Sequence, residues 1–459
     1  MSANISSIPG SFRDPSGFVF YSGETLLRSV NRCYADQYDH LMKSGLYDEA
    51  VQQRLLIPHR EVPPKPVCPP ETYRLLQPTI IPFISYPYEW CFSQLKDAAL
   101  TVIHLQQLAM EYGMTLKDAP AYNIQFLKGR PVWIDTLSFE KYNRLSPWAA
   151  YQQFCQHFLA PLSLMAWSDF RLIHLMKSNI DGIPLSLASS LLPTRTWLNS
   201  GILFHVHLHA RSQRKNTTID DKVRSRTISQ NQILGLLDHL EATIQHLSLK
   251  KPESIWVDYY NDNNYTRESE KEKERLVLEY LLSLEPGVLW DFGGNIGNFS
   301  HMAASNGFEC ILFDNDHGCI ERCYTEIKKS GEEHILPLYM DLSNPSPGIG
   351  WRNEERTALL KRPKPDTILA LALIHHLAIG NSVPLKELAR FFGEMCDNLI
   401  IEFVPKSDDQ VQRLLLVRQD IFSEYTKETF EREFSRYFVI KRRDTIKNSE
   451  RILYLMRRK

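Results

Sequence analysis

From Glu272 to the end of the chain, short apolar runs alternate with stretches of helical periodicity. "EKERLVLEYLLSL" gathers its apolar residues on one helical face, with charges at its start. "GVLWDF" then reads as a buried strand and "NFSHMAASNG" as a helix closed by Gly307. "ECILFDND" is the next strand and "HGCIERCYTEIKKSG" a helix closed by Gly331. The pattern continues through the strand "HILPLYMDL", the strand "DTILALALIHHL", the helix "VPLKELARFFGEM" and the strand "NLIIEFVP". Such alternation predicts an α/β fold, a mostly parallel sheet covered by helices on both faces. "FVIKRR" and "RILYLMRR" read as a closing antiparallel pair with charged outer faces.

The first half is aromatic and Pro-rich and reads as α+β. The polar stretch "ARSQRKNTTIDDKVRSRTISQNQ" separates it from the second half. We therefore expect an N-terminal domain over 12–205, a linker over 206–230 and an α/β domain over 231–459. At 459 residues and 43% hydrophobic, the chain is long and apolar enough to bury more than one core. Its net charge of −1 gives no bulk attraction to nucleic acid or to anionic membrane. No run reaches the roughly 18 apolar residues of a membrane span. The start has neither the basic nor the apolar region of a signal peptide. The eight cysteines form no CxxC pair. They read as reduced thiols of a cytoplasmic protein, and no metal site is expected.

Chemistry concentrates in "VLWDFGGNIGNFS", Val288 to Ser300. In an open α/β sheet, ligands bind outside the carboxyl ends of the strands. Glycines there allow a sharp turn and a close approach of backbone to ligand. A dinucleotide site wants G-x-G-x-x-G. Here an acid, Asp291, stands two residues before Gly293, and Asn295 stands where a central glycine would be, followed by Gly297. Asn tolerates positive φ better than most residues, so the turn is expected to survive. Asp314 ends the second strand, where a carboxylate can bind ribose hydroxyls, although Asp316 competes as a helix cap. Asp341 ends the third.

This order resembles motif I and the following strand ends of class I S-adenosylmethionine-dependent methyltransferases, whose sheet is seven-stranded and Rossmann-like. The resemblance implies S-adenosylmethionine as cofactor, Asp291 at its methionine ammonium, Asp314 at its ribose and Asp341 on its adenine side. "IWVDYYNDNNYTRESEKEKERLV", "ALALIHHLAIGNSVPL", "LIIEFVPKSD" and "IFSEYTKETFEREFSRYF" resemble, more narrowly, a group of bacterial methyltransferases related to nodulation protein NoeA, over Trp256 to Arg458. Tyr260 and Tyr265 precede the first helix, where a lid could stack on the cofactor or simply pack. His375, His376 and Glu402 lie at strand ends facing the acceptor. Each is a candidate for proton transfer, or else a core or backbone-bonded residue. No (N/D)-P-P-(Y/F) follows the fourth strand, which disfavours an amide or adenine nitrogen as target. A small-molecule acceptor is favoured, with a protein or nucleic-acid acceptor left open.

In the first half, "LKDAPAYNIQFLKGRPVWIDTLSF" sets Asp118, Asn123 and Asp135 around a hydrophobic hairpin. That order is similar to the catalytic loop of kinase-like phosphotransferases. The usual His is Leu116, no glycine follows Asp135, and Arg28 stands where a strand lysine would be sought. A degenerate kinase-like scaffold that presents a substrate is the expectation. A bifunctional phosphotransferase–methyltransferase, a non-catalytic cofactor-binding protein and a dinucleotide oxidoreductase are the rivals.

Overall fold

Strand β10 (Val288–Phe292) is an interior strand of the C-terminal sheet, and its "VLWDF" is buried on both faces. A computed structural model describes residues 5–63, 70–143, 146–215, 228–249, 267–416 and 419–459. The chain divides into two units: Met1–Lys250 with Pro347–Thr357, and Lys251–Ser346 with Ala358–Lys459.

In the first unit, β1 (Ile5–Ser7), β2 (Val19–Ser22), β3 (Thr25–Asn31), β4 (His59–Val62) and β5 (Thr72–Pro78) form an antiparallel sheet in the order β1-β2-β3-β5-β4. The helix Phe92–Glu111 comes next, buried along most of its length. Then come β6 (Met114–Leu116), the hairpin β7 (Ile124–Leu127) and β8 (Arg130–Trp133), and β9 (Phe139–Lys141), which pairs with β6.

The amphipathic helix Gln230–His246 belongs to this unit. It buries Ile233, Leu237, Leu240 and Ile244, and Gln107 and His104 bond its Asp238 and Glu241. The observed division therefore falls after Lys250 rather than at the linker expected over 206–230. Of that stretch, residues 206–215 are helical, and residues 216–227 lie outside the described residues. The helical spacing of apolar residues in "NQILGLLDHLEATIQHL" gives this helix an apolar face but does not say which unit covers it.

The second unit is a seven-stranded sheet of β10, β11 (Glu309–Asp314), β12 (Ile335–Tyr339), β13 (Thr367–Ala370), β14 (Asn398–Phe403), β15 (Phe438–Thr445) and β16 (Ile452–Arg458). Its order is β12-β11-β10-β13-β14-β16-β15, parallel except for β16, which runs antiparallel to both neighbours. Four helices are those read from the sequence, Arg267–Leu282, Asn298–Ala304, His317–Ser330 and Leu385–Met395, and two more, Asp409–Leu415 and Lys427–Phe434, lie between β14 and β15. Trp290, Phe292 and Phe313 pack ring to ring in its core. The strand expected over "DTILALALIHHL" is shorter than expected. It ends at Ala370, the backbone turns left-handed at Ala372 (φ 50°), and His376–Gly380 form a π-helical turn. His375 and His376 thus stand together in the helical turn beyond the strand rather than at its end.

Candidate functional site

The loop after β10 is built by close approach. Gly293 (φ 73°) and Gly297 (φ 95°) take left-handed backbone, as does Asn295 (φ 51°), whose side-chain oxygen accepts the Ile296 N–H at 2.7 Å. Gly294 is required for another reason: a Cβ there would lie 2.6 Å from Leu312 and 2.9 Å from an Asp291 carboxylate oxygen. The loop is thereby pressed against β11.

A cavity of about 340 Å³ opens over this loop, within the range typical of small-molecule sites. The ends of three adjacent strands bring Asp291, Asp314 and Asp341 to its wall. Asp291 accepts a 2.7 Å hydrogen bond from Ser300 Oγ, and burial pushes its carboxyl up to about 6. Asp314 accepts the backbone N–H of Asn295 at 2.8 Å and of Asp316 at 2.8 Å. It too is pushed up to about 6, burial outweighing those bonds. Asp316 caps the next helix through Gly318 and Cys319, which separates the two competing acids by role. Asp341 accepts from the backbone N–H and hydroxyl of Ser343 at 2.8 and 2.6 Å.

Of the candidates for proton transfer, His376 lines the cavity. Burial lowers its pKa, which keeps the imidazole neutral near pH 7. His375 is buried beside it, its ring 4.2 Å from that of His376, and is not part of the wall. Glu402 is fully buried. It accepts from Lys273 Nζ at 2.7 Å and from the Ala372 N–H at 2.8 Å, with Arg451 at 3.5 Å. Arg451 in turn bonds Asp408 at 2.7 and 3.0 Å. Glu402 thus holds Ala372 in its left-handed turn and anchors Lys273, which does line the cavity. Sequence reading missed Lys273. Its signal was a lysine on the helix stretch facing the apolar row, at a position periodicity assigns to the buried side. Tyr260 and Tyr265 lie outside the described residues.

In the first unit, the structure gathers Arg28, Asp118, Asn123 and Asp135. Arg28 pairs with Asp135 at 2.5 Å, both side chains largely buried. Asn123 Nδ2 reaches Asp135 and Ser138 at 3.5 and 3.4 Å. Burial and the charge of Asp135 push the Asp118 carboxyl up to about 7. One Asp135 oxygen also accepts the Leu137 N–H at 2.9 Å. Its carboxylate is therefore satisfied within the chain, and the donor set does not fit a magnesium ion as arranged.

The strand order of the second unit, with its reversed penultimate place for the last strand, is that of the class I methyltransferase fold. No family model matches the chain. Nodulation protein NoeA of Rhizobium meliloti (strain 1021) is 34% identical over 460 residues, spanning 98% of this chain and 96% of that protein. The chain belongs to the NoeA family. Among solved structures, the N-methyltransferase NodS of Bradyrhizobium japonicum WM9 is 16% identical, covering 43% of this chain and 98% of its own, at a TM-score of 0.32. The magnesium protoporphyrin IX methyltransferase of Synechocystis PCC 6803 with bound SAH is 16% identical, covering 44% and 93%, at a TM-score of 0.32. At such scores the class rests on the sheet order itself.

Proposed function

We propose that the protein is an S-adenosylmethionine-dependent methyltransferase whose second unit binds the cofactor and whose acceptor is a small molecule. The observation that carries this reading is the row of three carboxylates, Asp291, Asp314 and Asp341, at successive strand ends around one glycine-lined cavity. Asp314 would hold the ribose hydroxyls, Asp341 the adenine side and Asp291 the methionine ammonium, with Gly293 and Asn295 in the floor and Gly297 turning the backbone behind it. The bound cofactor supplies an electrophilic methyl group. The chain's part is to align the acceptor atom with it and exclude water. His376, neutral and in the wall, would take a proton from the acceptor, with His375 packed against its ring and Glu402 holding the nearby Ala372 turn.

Titration calorimetry with S-adenosylmethionine, NAD and Mg-ATP separately tests the reading. Binding of S-adenosylmethionine alone is the expected result. NAD binding without it would overturn the assignment of the glycine loop.

A second reading, a bifunctional phosphotransferase–methyltransferase, is favoured by the gathering of Asp118, Asn123 and Asp135. The Arg28–Asp135 pair weighs against it, and the first unit is better read as a scaffold for substrate. No helix among the described residues is long and apolar enough to cross a membrane. A cytoplasmic location is part of the proposal.

A further inference from the structure

Lys273 is only 7% exposed, and its ammonium stands 2.7 Å from a fully buried carboxylate, Glu402. Burying such a pair seldom gains stability over a well-packed apolar pair of the same volume. Its place does suggest a use. Among the described residues that line the cavity, Lys273 is the sole lysine or arginine, against Glu270, Glu274, Asp291, Asp314 and Asp341.

The sheet order gives the cavity a direction. Asp341 and Asp314 stand on the β12 and β11 side of β10. Lys273 is tied to β14 and to the turn after β13, on the other side. Asp291, on β10, lies between the two sides and shares the cavity wall with Lys273. A carboxylate and an ammonium in one cavity wall match an α-amino acid zwitterion in the opposite sense: its ammonium to Asp291, its carboxylate to Lys273.

We propose that Lys273 recognises the carboxylate of the cofactor's amino-acid end, and that Glu402 is the positioning residue that fixes the ammonium there. The inference rests on the cofactor reading above and deepens it. It makes Lys273 the residue that distinguishes ligands carrying the amino-acid group from those that carry only the thionucleoside.

The test compares two probes by calorimetry on the full chain: S-adenosylhomocysteine, and 5′-methylthioadenosine, which lacks the amino-acid group. In Lys273→Met, affinity for S-adenosylhomocysteine should fall by about 10- to 100-fold, the worth of one hydrogen bond to a charged group. Affinity for methylthioadenosine should stay within about twofold, and this retained binding also reports a folded site. Lys273→Arg should recover part of the loss. The double variant Lys273→Met/Glu402→Gln strands no buried carboxylate and should show the same selective loss. Equal losses for both probes in the double variant, or unchanged S-adenosylhomocysteine binding in either, would overturn the role of Lys273. A wild-type protein that binds neither probe would overturn the cofactor reading, a distinct result.

Discussion

The backbone N–H of Asn295 donates to the carboxylate of Asp314 across 2.8 Å, joining the glycine loop to the end of the neighbouring strand. The loop residue with positive φ and the acid expected to meet the ribose are thus one hydrogen-bonded device. Asp314 is oriented by backbone before any ligand arrives, which lowers the cost of ordering it on binding.

Asp314→Ala removes an acceptor for ligand hydroxyls and leaves the Asn295 and Asp316 N–H groups unmet. The expected outcome is a cofactor Kd about 10- to 100-fold higher, measured by calorimetry. Binding as tight as wild type would show that the ribose lies elsewhere.

The pH response comes from Asp291 and Asp314, both raised from 3.8 to about 6 by burial. A raised carboxyl favours the fold most when protonated. Its contribution is fully present below the unfolded value and lost as pH rises through about 6. At pH 7.5 each ionised group costs about 3 kcal/mol, since a tenfold change in acidity is worth roughly 1.4 kcal/mol. A ligand that supplies cationic and hydroxyl partners offsets that cost only where the acids are ionised. The rise in Tm on adding S-adenosylhomocysteine should therefore be larger at pH 7.5 than at pH 5. An equal rise at both would remove these two acids from the binding account.

Glu402→Ala should act mainly on stability. It takes the carboxylate away from the nearly fully buried Lys273 ammonium and frees the Ala372 turn, while Arg451 keeps its bonds to Asp408. Breaking a buried pair from one side costs about 3–5 kcal/mol, readable in urea unfolding. An unchanged urea midpoint, with turnover lost, would make Glu402 a direct participant instead.

The adjacent histidines should separate in kinetics. His376→Asn, altering the cavity wall, should lower kcat by about 100-fold or more if the acceptor must lose a proton. His375→Asn, behind the wall, should lower it far less. The comparison is made once an acceptor has been found by screening for methyl transfer. A reversed order would move the proton acceptor to His375.

Much of the second unit could be read from the chain because its signals are local. Each parallel strand of the core is an apolar run, two of the helices close at their own glycines, Gly307 and Gly331, and Asp291 and Asp314 stand at the ends of consecutive strands. The Lys273–Glu402 pair is different: its partners are 129 residues apart. No periodicity says that a lysine on one helix will meet a glutamate on the fifth strand of the sheet. His375 and His376 were placed on a strand because apolar residues continue past Ala370, while the left-handed turn at Ala372 is held by that same distant Glu402. Likewise Asp135 was legible as an acid after a hairpin, but its pairing with Arg28 depends on how the antiparallel sheet folds back.

The segment Pro347–Thr357 belongs to the first unit although it lies between β12 and β13 of the second. There Glu355 pairs with Arg13 at 2.7 Å, the Arg356 guanidinium lies 4.0 Å over the Tyr122 ring, and the Thr357 N–H donates to Tyr86 at 2.6 Å. Domains ordinarily fold in the order in which they leave the ribosome. Here the first unit lacks its final eleven residues until translation has passed Thr357, by which point three strands of the second sheet have already been made. The last steps of maturation are thereby shared by both units, and no single cut in the chain yields two whole pieces.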